Sequence, residues 1–92
     1  MRTLHVTIDC SEITTHEEFH EAFASKLRLP GWYGENLDAL YDCLTSLPQP
    51  TEIDLLHIQC LLDNLHSYGR AALSAILRAE REDPDRLKIN AM

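Results

Sequence analysis

Three short β-type segments separated by stretches of helical periodicity limit the fold more than any other feature of this sequence. Leu4, Val6 and Ile8 alternate with His5 and Thr7, the period of a half-buried strand. Thr51–Ile58 is rich in apolar and β-branched residues and reads as a second strand. Leu87, Ile89 and Ala91 alternate with Lys88 and Asn90 in a third. Strands separated by helical segments pair in parallel through crossover connections. The expected fold is therefore α/β, a small three-stranded, mainly parallel sheet packed against three to four helices. With 92 residues there is room for one core, so a single domain over 1–92 is expected.

The helical segments carry their own boundary signals. Thr15-His16-Glu17-Glu18 is a capping-box pattern, and Phe19, Ala22, Phe23 and Leu27 follow at helical spacing. Pro30-Gly31 stops that helix. Asn36 is a good N-cap for the next, in which Leu37, Leu40 and Leu44 face one way and Asp38, Asp42 and Thr45 the other. Pro48 and Pro50 close the unit. Gln59–His66 reads as a short helix or irregular structure. A further helix is expected from Gly69 or Arg70 to Asp83, with Leu73, Ile76 and Leu77 inward and Asp83-Pro84 as its end.

The formal charge is −7, and its placement is uneven. Between Arg28 and Arg70 there is no Lys or Arg, while Glu35, Asp38, Asp42, Glu52, Asp54 and Asp63 all fall there. A phosphate-backbone binder needs the opposite sign, so nucleic acid is not an expected partner. Acidic residues that merely keep the protein soluble are one reading, and a surface for a basic partner is the other. No apolar run approaches the ~20 residues of a membrane span. Met1–Cys10 lacks the basic start and long apolar stretch of a signal peptide, so a cytoplasmic location is expected. Cys10, Cys43 and Cys60 form no paired motif and read as reduced, small hydrophobes.

His16-Glu17-Glu18-Phe19-His20 matches the H-E-x-x-H spacing of zinc peptidases, which places two imidazoles on one helix face. It lies in a first helical turn, where glutamates serve capping and the helix dipole. His57 and His66 stand in no third-ligand motif, so a zinc hydrolase is the third reading here and no cofactor is expected. Asp38 and Asp42 repel each other at i,i+4 with no cation near in sequence. Nothing in the sequence supplies a pocket that would turn them into an acid–base pair. The Gly-bounded loop Trp32-Tyr33 directly before them suggests a recognition surface, because aromatic anchors beside desolvated charges make interface hot spots. Trp32 is assigned to the interface, whereas Tyr33 and Tyr41 fit either core or interface.

At these residues the sequence resembles the barstar family of inhibitors of barnase-type ribonucleases. The stretch from Leu29 to Thr45, Leu-Pro-Gly-Trp-Tyr-Gly-Glu-Asn-Leu-Asp-Ala-Leu-Tyr-Asp-Cys-Leu-Thr, carries the resemblance almost position for position. Elsewhere it lies in element order, with Phe19-His20 at a matching place. The resemblance implies a non-catalytic intracellular inhibitor that is monomeric when free and gives immunity to a ribonuclease toxin. It implies that Asp42 takes the place of the substrate phosphate and that Asp38 pairs with further basic groups. Trp32, Tyr33, Asn36, Tyr41, Thr45, Ser46 and Asp83 are the remaining expected contact residues. Members of the family also use acidic residues on the last helix. Here Ala79 stands at one such position, the next falls near Asp83, and Glu80 is off register. Trp32 replaces a Tyr, Tyr41 a Trp and Ser46 a Gly. These departures bear on which ribonuclease is bound. The alternative is a module of the same fold for a basic partner that is not a nuclease.

Overall fold

The computed structural model describes residues 2–92. Strand β1 (Leu4–Asp9) leads through a 3-10 turn (Cys10–Glu12) to helix α1 (His16–Leu27) and helix α2 (Leu37–Leu44). Strand β2 (Thr51–Leu56), the long helix α3 (Ile58–Glu82) and strand β3 (Leu87–Ala91) complete the chain. The strands lie in the order β1-β2-β3, and both pairs are parallel, with Val6 opposite Ile53 and Ile53 opposite Ile89. The sheet is thus the expected one, and wholly parallel.

Period-two patterning puts Ile8, Ile53, Leu55 and Leu87 into the core, where Phe19, Phe23, Leu40, Leu61 and Ile76 meet them from the three helices. Each large side chain buried this way contributes about 1.5–3 kcal/mol. The other sheet face is polar. Asn90 Nδ2 donates to Glu52 Oε2 (2.7 Å) and Asp54 Oδ1 (2.8 Å), while His5 Nε2 lies 2.8 Å from Asp54 Oδ2. The Asn90 amide, then His5, holds the Asp54 carboxyl below the usual carboxylate range.

The helix ends follow the capping signals with two differences. Thr15 accepts from the Glu18 amide (3.0 Å) as expected, but the Glu18 carboxylate reaches back to the amide and hydroxyl of Thr14 rather than to Thr15. At the far end of α1, Arg28 takes the left-handed conformation (φ 53°) usually given to glycine, and the Leu29 amide closes on the Ala24 carbonyl at 2.9 Å.

The region after β2 corrects the sequence reading. The strand ends at Leu56 rather than Ile58, because His57 turns left-handed (φ 55°) and Ile58 already starts α3. Gln59–His66, read as a short helix or irregular structure, is helical, and the separation from the piece around Gly69 survives as a break within α3. His66 breaks its backbone geometry (φ 54°, ψ −124°), and Gly69 then lies so close to the first piece that a Cβ would meet the Leu61 carbonyl oxygen at 2.6 Å. Among the described residues no helix is long and apolar enough to cross a membrane.

Candidate recognition surface

The segment between α1 and α2 is a tight loop. The Tyr33 amide donates to the Pro30 carbonyl (2.9 Å), which closes a turn around Gly31 and Trp32. Consecutive aromatics then diverge. Tyr33 is 9% exposed and belongs to the core cluster, whereas Trp32 is 76% exposed. Tyr33 is therefore an anchor of the loop, and Trp32 is the side chain that the loop presents. Glu35 enters the next helix at a positive φ of 51°, and Asn36 caps it, accepting from the Ala39 amide at 2.8 Å and donating to the Gly34 carbonyl.

Helix α2 buries Leu40, Cys43 and Leu44 and leaves Asp38, Asp42 and Thr45 exposed. Among the described residues neither the Asp38 nor the Asp42 carboxylate takes a hydrogen bond or ion pair; the one ion-pair contact found joins His5 and Asp54. Thr45 Oγ1 donates to the Tyr41 and Asp42 carbonyls, and Ser46 Oγ to the Asp42 carbonyl at 2.7 Å. Both hydroxyls finish the helix and keep lone pairs as acceptors. The exposed edge of α2 is thus a row of acceptors, reinforced by the negative end of the helix dipole.

Helix α3 adds what the sequence reading missed. A cleft of about 350 Å³ is lined by Leu37, Asp38, Tyr41 and Asp42 from α2 and by Ala71, Ala75 and Arg78 from α3. The Arg78 guanidinium carbon sits 5.1 Å from the Tyr41 ring centroid, a cation–π arrangement. Partial burial, and then the nearby Glu82, pushes the Tyr41 hydroxyl above its ordinary value. The i,i+4 spacing of Arg78 and Glu82 was legible, but nothing local shows that small alanines let this face approach α2.

The remaining acidic positions separate. Ala79 is buried. Glu80 is spent on the fold, since its carboxylate accepts from the Ile89 amide of β3 at 2.8 Å. Asp83 is exposed at the end of α3, where its carbonyl takes the Arg86 and Leu87 amides. Glu82, one residue before Asp83, is close enough to Tyr41 to help raise its hydroxyl.

The histidine motif does not form a metal pair. His20 is 2% exposed, with Nδ1 against the Tyr33 hydroxyl and Nε2 2.6 Å from that of Tyr68, while the His16 ring stacks on Tyr68. Desolvation holds the His20 ring below its ordinary pKa, so it is neutral at pH 7. Cys10 and Cys43 are buried, with the Cys10 thiol pushed up to about 11 by burial, as expected of small hydrophobes; Cys60 is only half-buried. His5, Glu52 and Asp54 bring donor atoms within 4.8 Å of one another, and their mutual bonds and Asn90 account for that closeness.

A capped acidic helix, an outward tryptophan and a parallel three-stranded sheet now stand together, and comparison with known proteins gives them a family. The family model Barstar (barnase inhibitor) matches residues 3–90. The chain belongs to the barstar family. The "Putative ribonuclease inhibitor YrdF" of Bacillus subtilis (strain 168) is 35% identical to it over 85 residues, covering 91% of this chain and 93% of that relative. Barstar-type inhibitors are not enzymes. The acceptor row on α2 therefore belongs to a barstar-family inhibitor module, a protein–protein interaction domain.

Proposed function

We propose that the chain inhibits a basic, barnase-type ribonuclease by filling its active site with the α2 face and the Trp32 loop. The observation that carries this reading is the pair of exposed carboxylates, Asp38 and Asp42, without hydrogen-bond or ion-pair partners among the described residues, on a helix whose other face is locked in the core. A fixed carboxylate imitates a substrate phosphate, and bidentate arginine pairing strengthens with the geometry of both partners. Asp42 takes the phosphate position, Asp38 pairs beside it, and Trp32 and Tyr41 pack over the rim. Thr45 and Ser46 offer acceptor oxygens at the helix end. The inhibitor acts as a monomer in the cytoplasm of a cell that makes the nuclease, as its immunity protein.

Titration against a panel of barnase-like ribonucleases, with Asp42→Ala beside the wild type, tests this. Stoichiometric inhibition lost in the variant supports it, and no inhibition of any panel member contradicts it. One observation favours the second reading, a basic partner that is not a nuclease: the last helix offers a buried Ala79 and a committed Glu80 where acidic contacts are expected. Stoichiometric binding of a basic, non-nuclease protein, abolished by Asp42→Ala, would support it.

A further inference from the structure

Three elements meet at one buried imidazole. His20 comes from α1, and its two ring nitrogens are taken by hydroxyls from the loop (Tyr33) and from α3 (Tyr68, 2.6 Å). The Tyr68 ring is itself fixed, since it stacks on His16 with centroids 3.6 Å and planes 13° apart and meets Phe19 edge-on. A neutral imidazole has one donor and one acceptor nitrogen, so one tyrosine hydroxyl donates to the ring and the other accepts. The role of each hydroxyl is set by the other through the ring. On the loop side, Tyr33 also closes the Pro30 turn with its amide, and Trp32 is its immediate neighbour.

We propose that Tyr68 is a positioning residue for the recognition loop: its hydroxyl fixes the His20 ring, His20 fixes Tyr33, and Tyr33 holds the turn from which Trp32 projects. The loop has no strand ladder of its own, and this bond chain ties it to α3 at Tyr68, 48 residues after His20. Holding the turn before binding removes part of the ordering cost of association. The link to recognition rests on the proposed role of Trp32, while the positioning itself is a property of the free protein.

Tyr68→Phe keeps the ring and its stack on His16 and deletes only the hydroxyl. NMR of the free variant reads the His20 ring nitrogen shifts and the backbone order parameters of Gly31, Trp32 and Gly34. The loop values should drop from about 0.85 toward about 0.6, with α1 and α2 unchanged, and the Nε2 signal should move. Ile89→Val on β3, a mild destabilisation elsewhere, should leave both readouts alone. With barnase as the probe, the variant should bind roughly threefold to tenfold more weakly. Unchanged loop order and ring shifts in Tyr68→Phe overturn the positioning. A loosened loop with unchanged affinity overturns its part in recognition. Failure of the wild type to bind barnase counts against that probe as partner and leaves the loop readout decisive.

Discussion

Two of the molecule's closely spaced carboxylate pairs are treated oppositely. Glu52 and Asp54 lie on the polar face of β2, tied to the Asn90 amide and, for Asp54, to His5. Asp38 and Asp42 lie on α2 with neither hydrogen bond nor ion pair among the described residues. The first pair is finished by the fold, which holds it with hydrogen bonds across the sheet. The second repels across one helical turn and, among the described residues, is tied by no hydrogen bond or ion pair. Acidity alone therefore does not separate the two pairs; what does is that the α2 pair is both unpartnered among the described residues and set beside the exposed Trp32 loop.

The comparison breaks most visibly if both α2 carboxylates are neutralised. Asp38→Asn with Asp42→Asn should weaken inhibition by at least about 30-fold, the scale of a hot spot near 2 kcal/mol. Its urea midpoint should stay close to wild type, since exposed positions with no partner shift stability by only about 0.5 kcal/mol. Unchanged inhibition would remove α2 from the mechanism. Stopped-flow association should slow by roughly tenfold from low to high ionic strength, because screening acts on the exposed pair. A flat salt profile would leave no role for steering.

The opposite result is expected on the sheet. Asn90→Ala deprives both carboxylates of their donor and should cost about 1–2 kcal/mol of stability in urea denaturation, with inhibition unchanged. A smaller effect concerns His20. Its folded pKa lies below the ordinary 6.5, so the unfolded chain takes up the proton first. Stability should therefore fall as pH drops below about 6.5, and the loss should level off once the folded ring also protonates. Urea midpoints from pH 7.5 downward, beside an NMR titration of the ring, check the sign.

What the sequence made legible was local. Thr15 and Asn36 announce their helices because each cap is satisfied within three residues. The alternation in β1 and β3 sets the buried face of each strand because one sheet face packs on the helices. The exposed side of α2 followed from helical spacing alone. The break at His66 and the close approach of Gly69 to the Leu61 carbonyl did not, because helical periodicity encodes neither. The H-E-x-x-H spacing was real, but Tyr33 and Tyr68 occupy the His20 nitrogens from 13 and 48 residues away. Arg78 meets Tyr41 only through the packing of α3 against α2.

The central claim is that the α2 carboxylates bind the partner and the sheet carboxylates do not. It is tested most directly by calorimetric titration of one inhibited barnase-type ribonuclease with wild type, Asp42→Asn and Glu52→Gln. The account predicts that Asp42→Asn loses at least about 2 kcal/mol of binding free energy while Glu52→Gln binds as wild type. Wild-type affinity in Asp42→Asn, or an equal loss in both variants, would contradict it.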